Sequence, residues 1–473
     1  MNVISVPFAL LALISLLVFY LLAPRLRVMY LVLLSCGFIA SYSYLLIIYL
    51  LLFVLINYYA GIYIVEARSP RIILRLGITF NILQLALLKY ASFAIDPVFR
   101  LFDSDINVSK IGETLVPLGI SYFTLQAIGY LINIKMGWEK PERSFGSFLL
   151  YISFFPKFLS GPIERSNHFL PQVIREKQFN IEQVTAGIRI ALFGFFKKVV
   201  IANQLGLLIT GTYSDLQSAD TGHFIMVLLI QPLYLYFDFS GYTDIAIGLA
   251  KAFGYDLLPN FKRPFMSINV TTFWRRFHMS LSLWFNDYVF RQLSFKYRRW
   301  GKYASSFAVF ITFILFGIWH GAGWNFMVLG LIQALALNYE FFTKNRRIAF
   351  FSKMPDNLRR ALGRIITYLF FGFSLVFFFS ADLESVFRFF SGLTNGISMI
   401  SINAYGLAFY PALLMALLIL LAEYIEEDHA GIAKAINKVW QSSSILRLSV
   451  YYIMIMCVLS FIGSGLIFVY QAF

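Results

Sequence analysis

Apolar residues run along this chain in blocks separated by short clusters of Lys and Arg, and the blocks are near the roughly 17–25 residues that a helix needs to cross a bilayer. The first, 6–23, ends at Arg25 and Arg27. With no basic segment before it and no small-residue cleavage site after it, it reads as a retained span and not a signal peptide. Residues 28–65 carry no Lys or Arg and have room for two spans with a turn near 41–44, closed by Arg68, Arg71 and Arg75. A fourth block leads to Asp96, Asp103 and Asp105, and a fifth returns to Lys135, Lys140 and Arg143. Since basic loops face the cytoplasm, this alternation places the N-terminus outside.

Residues 145–161 are apolar but short and broken by Gly and Pro, and Arg165, Arg175 and Lys177 follow on the same side as Arg143. A re-entrant or interfacial segment fits there better than a span. Residues 199–250 again lack Lys and Arg, which predicts two spans around an outer loop at 211–223; the basic residues from Lys251 to Lys302 then lie inside. A hairpin over 303–342, a basic inner loop over 344–364, and spans near 365–381, 402–422 and 447–470 complete about twelve crossings. Ile432, Ile436, Val439 and Trp440 share one helical face and Lys434 and Lys438 another, the pattern of an interfacial amphipathic helix. The whole reads as an all-α polytopic membrane protein forming one integral domain over 1–473, with N-terminal spans in 1–144, a motif-bearing core in 145–342 and C-terminal spans in 343–473.

Composition agrees. The chain is 59% hydrophobic and 13% charged, with a mean hydropathy of +0.73, against about 45–50% and about 25% in soluble domains. This excludes disorder and a soluble enzyme. A net charge of +15 would suggest nucleic acid in a soluble protein, but here Lys and Arg belong to the cytoplasmic loops and no nucleic-acid partner is expected. Cys36 and Cys457 both sit in apolar runs, so neither a disulfide framework nor a metal site is expected.

Five histidines occur. His168, His223 and His429 fall in loops. His278 and His320 fall in apolar sequence, where an ionisable side chain is costly and normally faces a cavity or pathway. His320, in GIWHGAGW, has Gly317, Gly321 and Gly323 around it and Trp319 and Trp324 as walls. Such a niche disfavours the imidazolium and leaves the neutral form that a general base requires; a structural imidazole bonded to a carbonyl is the alternative. On a continuous helix His278 would share a face with Trp274, with Arg275 and Arg276 placed to hold donor phosphates or to anchor in headgroups. Asp238 and Tyr242 are four apart and Asp244 is beside them, while Lys157 and Arg165 lie in the broken FFPKFLSGPIER stretch. Each of these groups suits either a cavity or helix packing. No Ser elbow, Cys nucleophile or His-x-x-x-His pair is present, so the chemistry would be proton removal from a hydroxyl.

Taken in order, FFPKFLSGPIER, FGFFKKVVIAN, YFDFSGYTDIAIGLAKAFGY, LPNFKRPF, FWRRFHMSLSLWFNDYVF and GIWHGAGWNF resemble the membrane-bound O-acyltransferase family. The likeness is strong over about 145–330, and is greater to the polysaccharide-acetylating bacterial members than to the D-alanyl-transferring ones. The family's Trp-His-Gly histidine falls on His320. The histidine of its Phe-Trp-x-Arg-Trp-His-x-Ser-Leu motif falls on His278, with Phe277 where tryptophan is usual.

The resemblance implies helices around a central funnel in a bacterial inner membrane and no bound cofactor. An acyl thioester, acetyl-CoA or an acyl-carrier thioester, would arrive from the cytoplasm. The acceptor would be an extracytoplasmic polysaccharide hydroxyl, or a secreted acetyltransferase- or esterase-like partner protein. His320 would be the base and His278 would orient or polarise. D-alanyl or other acyl transfer to teichoic acid-like polymers, a proton-coupled transporter or flippase with Asp238, Asp244, His278 and His320 as a proton relay, and a non-catalytic scaffold are the competing readings.

Overall fold

The computed structural model describes residues 3–101, 119–394 and 408–462, with backbone only at 91–101. The expected acidic outer loop at Asp103 and Asp105, and the side chain of Asp96, lie outside the described residues, as does the end of the 447–470 span. Every regular element among the described residues is helical. Eight helices are long and apolar enough to cross a membrane, which makes this a multi-pass membrane protein. The chain divides into two compact units, one of residues 1–191 and 243–259, the other of 192–242 and 260–473.

The first unit holds α1 (Val6–Leu21), α2 (Pro24–Ala40), α3 (Tyr44–Glu66), α4 (Pro70–Leu101), α5 (Ile120–Met136), α6 (Phe145–Ser153), α7 (Ser166–Ile174) and most of α8 (Ile181–Phe195). α1 starts on Ser5, whose hydroxyl accepts from the Phe8 N–H, and both α1 and α2 carry a proline in the first turn, where its missing N–H costs no helical bond. The turn between α2 and α3 falls at 41–43, inside the expected 41–44. Amides tie the helices together: Asn81 Nδ2 donates to Asn57 Oδ1 at 2.7 Å and Gln84 Nε2 to Thr124 Oγ1 at 2.7 Å. Such pairs hold helices together where no water competes.

The predicted break after residue 145 is present. α6 has nine residues, about 14 Å at 1.5 Å per residue, less than half a bilayer. Turns and irregular backbone follow through Arg165, packed inside protein with Phe154, Phe155 and Ile163 fully or almost fully buried. Gly161 permits the turn, since a Cβ there would come within 2.4 Å of Lys157 Cα. Irregular backbone at such a place requires protein around it.

In the second unit a π-helical turn (Phe196–Ala202) carries α8 directly into α9 (Asn203–Ser214). The helix therefore begins well before the Lys-free stretch starts at 199. Lys197 and Lys198 do not end it, because Lys198 Nζ is ion-paired with Asp238 and Lys197 Nζ donates to Ser240 Oγ at 3.1 Å. A turn at 215–220, inside the expected 211–223 loop, leads to α10 (Thr221–Ala252). Then come α11 (Val270–Trp274), α12 (Met279–Phe285), a π-helical turn (Asn286–Phe290), α13 (Arg291–Lys296), α14 (Lys302–His320), α15 (Trp324–Phe351), α16 (Asp356–Phe379), α17 (Leu383–Gly392), α18 (Phe409–Asp428), α19 (Ala430–Ser442) and α20 (Ser444–Phe461).

α14 and α15 form the expected hairpin, with only 321–323 between them. A Cβ on Gly317 would lie 2.2 Å from Phe326 O and one on Gly330 2.2 Å from Phe313 O, so these glycines set how closely the two helices approach. The basic stretch 344–364 is not a loop. α15 runs through Lys344 and Arg347 and α16 starts at Asp356, leaving 352–355 non-helical. Hydropathy drops at these charges, but backbone hydrogen bonding does not depend on side-chain polarity. α19 has no buried residue, and its Ile432, Ile436 and Val439 are all more than half exposed, as an interfacial helix requires.

Candidate active site

The helix expected through FWRRFHMSLSLWF is broken where the site is built. α11 ends at Trp274, and His278 takes φ 48° and ψ 51° as the residue preceding α12. Trp274 and His278 therefore do not meet through shared helical periodicity. Among the described residues only Arg263 and His278 have positive φ without being glycine. Histidine tolerates this region better than most residues, but a left-handed residue needs surroundings that hold it. Asn260 does so: its carbonyl accepts from Met279 N at 2.9 Å and its side-chain Oδ1 from Ser280 N at 3.2 Å, while Lys262 N donates to Arg276 O at 2.9 Å. Glu427 adds an ionic tie, 2.8 Å from Arg276 Nη2 and 3.5 Å from Arg263 Nε.

His278 is fully buried and His320 is 3% exposed. They reach one cavity from different elements, the first from the α11–α12 turn and the second from the C-terminal end of α14. The cavity is lined also by Trp274, Phe316, Gln333, Phe371 and Phe378. The Phe239 ring meets His278 edge-on at 4.6 Å. Phe316, Trp319 and Phe378 surround His320 at 4.6, 4.9 and 5.6 Å, and Trp319 also reaches His278 at 6.1 Å. His278 lies between spans, and burial holds its imidazole below the usual range, in the neutral form.

The walls differ from those expected. Trp319 is buried against both imidazoles, but Trp324 is 60% exposed and does not line the cavity. It follows the reversal at Gly323, and Phe326, two residues on, packs inward instead: a Cβ on Gly321 would lie 2.1 Å from its ring. The glycines near His320 thus serve packing between protein groups and do not open room for a ligand.

The polar candidates have separate fates. Asp238 is fully buried and ion-paired with Lys198, and Tyr242 is buried one turn later on α10; neither lines the cavity. Asp244 is half-buried in the other unit. Arg275 is exposed, and Arg276 is held by Glu427. Lys157 is fully buried in the first unit, its Nζ donating to Gln126 Oε1 at 2.5 Å and Tyr151 O at 2.6 Å, and Arg165 is half-buried there. Close by, His168 Nδ1 lies 2.8 Å from Glu164, which raises its pKa. The sequence reading did not single out Gln333, Lys198 or Asn260. Gln333 had a signal, as a lone amide within the apolar GLIQALAL run. Lys198 and Asn260 lie within FGFFKKVVIAN and LPNFKRPF, and each becomes meaningful only through its partner in the fold.

Residues 142–381, 240 of 473, match the model of the membrane-bound O-acyltransferase family. The chain belongs to that family. All the candidate residues lie within the matched region. Among similar proteins, a probable alginate O-acetylase of Pseudomonas syringae pv. tomato is 32% identical over 61% of this chain and 58% of its own length. The peptidoglycan O-acetyltransferase of Helicobacter pylori is 30% identical over 73% of this chain and 70% of its own. The teichoic acid D-alanyltransferase of Bacillus subtilis is 32% identical over 54% and 67%. The chain spans about 58% of the first of these alginate O-acetylases and 62% and 55% of two others.

Proposed function

We propose that this chain is an O-acyltransferase of a bacterial inner membrane that moves an acyl group, acetyl in the first instance, from a cytoplasmic thioester to a hydroxyl beyond the membrane. The acceptor is a cell-surface polysaccharide or a partner protein that acylates one. The observation that carries this reading is the meeting of His278 and His320, 42 positions apart in sequence, in one buried aromatic cavity of a family member. In this reading 1–473 acts as one integral domain of about twelve crossings around a funnel. The thioester reaches the cavity from the cytoplasmic side, with exposed Arg275 available to donor phosphates and Arg276 committed to Glu427. The ion pair of Asp238 with Lys198 speaks against a proton relay through Asp238.

In the reaction His320 takes the proton of the acceptor hydroxyl as its oxygen attacks the thioester carbonyl, and His278 orients the reacting groups. Membrane vesicles from the native strain, given radiolabelled acetyl-CoA, should incorporate base-labile acetate into polymer. His320→Gln keeps the volume but lacks a base near neutral pH, so incorporation should fall about 10²–10⁴-fold with the protein still in the membrane. His278→Ala should lose less. Near-normal incorporation by His320→Gln would return His320 to a structural role.

A further inference from the structure

The cavity holds a polar group to which the mechanism so far gives no part. Gln333, on α15, is 2% exposed and lines the cavity together with both histidines. Its Oε1 accepts from Trp274 Nε1 at 3.0 Å, and its Nε2 is buried with no hydrogen-bond partner. An indole N–H can only donate, so this bond settles which way the amide is turned: oxygen toward Trp274, the NH₂ away from it. A buried donor left unmade costs about 1–3 kcal/mol, a cost that a bound acceptor would remove. Apart from the imidazoles, the neighbouring lining is apolar or, at Ser374, already spends its hydroxyl proton on Phe371 O at 2.8 Å.

From this we infer that Gln333 is a further catalytic residue, whose Nε2–H₂ binds the acyl carbonyl oxygen of the donor and carries the negative charge that develops there, while Trp274 positions the amide. The inference rests on the acyltransfer reading above. The acceptor oxygen bonds to the carbonyl carbon, its proton passes to His320, and the carbonyl π pair moves onto the oxygen facing Gln333. Collapse restores the C=O and breaks the C–S bond, and the departing thiolate takes the proton back from His320. A donor fixed before the charge forms needs no reorganisation when it does, and removing one such donor typically costs 10²–10³ in turnover.

The test uses the same vesicles and radiolabelled acetyl-CoA. Gln333→Leu should lower turnover by about 10²–10³-fold, with a smaller change in KM. Trp274→Phe, which frees the amide to rotate, should lose less. Gln333→Glu gives a signature that a packing role would not: as a carboxylate it repels the developing oxyanion, and as a neutral acid its O–H replaces the lost donor. Its activity relative to wild type should therefore rise as pH falls through the carboxyl's titration. A Gln333→Leu protein with near-wild-type turnover, or a Gln333→Glu ratio that is flat with pH, overturns the inference. If His320→Gln is inactive in the same membranes, the acyltransfer reading survives that failure; if His320→Gln also retains turnover, the reading itself falls.

Discussion

At the scale of single residues, the buried charges of Asp238 and Lys198 answer one another. Asp238 is 0% and Lys198 1% exposed, and they are each other's ion-pair partners. Removing one partner strands the other, at a typical cost of 3–5 kcal/mol, whereas replacing both by apolar groups of similar volume is often neutral. Lys198→Met should therefore lower the unfolding temperature of the detergent-solubilised protein sharply, and adding Asp238→Leu should recover most of the loss. Equal melting of the single and double variants would show that the pair is not energetically coupled. His278 obeys a related logic. Its left-handed backbone is held by Asn260 on one side and by the Arg276–Glu427 tie on the other, so its position is a property of three segments and not of its own helix.

At the scale of elements, the α14–α15 hairpin presents His320 and Gln333 to one cavity, and its spacing depends on two glycines. Gly317→Ala puts a methyl group against the Phe326 carbonyl oxygen, 2.2 Å away, and backbone cannot yield as a flexible side chain can. Overpacking of this kind typically costs about 1–3 kcal/mol. Gly211→Ala, in α9 where nothing lies within 4 Å, should instead be stabilising by roughly 0.5–1 kcal/mol through helix propensity. Opposite shifts in melting temperature for the two variants are the expected outcome; a Gly317→Ala protein as stable as wild type would mean that the helices can separate freely. The π-helical turns at Phe196–Ala202 and Asn286–Phe290 lie in two of the family-like motifs. The first places Lys197 and Lys198 toward their partners on α10.

At the scale of the whole molecule, the Lys-free stretch 199–250 and the basic helix ends at 344–364 predict that the 215–220 turn and the 352–355 break open on opposite sides of the membrane. Ser218 and Ser352 are both exposed and suit a cysteine scan. In a chain without Cys36 and Cys457, an impermeant thiol reagent applied to intact cells should label a probe at Ser218 and spare one at Ser352. Equal labelling would sink the charge-based topology.

What the sequence determined by itself was the membrane class, the turn at 41–44, the break within 145–161, a turn within 211–223, the exposed amphipathic face of α19, and the unusual apolar setting of His278 and His320. Each of these depends on local quantities: the length of an apolar run, the placement of Gly and Pro, or the cost of an imidazole in apolar sequence. Continuous helix through FWRRFH, a wall at Trp324 and a loop over 344–364 were extrapolations from side-chain pattern, and backbone bonding and packing decided otherwise. Asn260 holds His278 in a left-handed turn, Phe326 takes the inward place, and backbone bonding carries α15 past Lys344, Arg346 and Arg347. Only the tertiary structure set the orientation of the Gln333 amide, through a hydrogen bond from Trp274, 59 residues earlier, which no periodicity along the chain can encode.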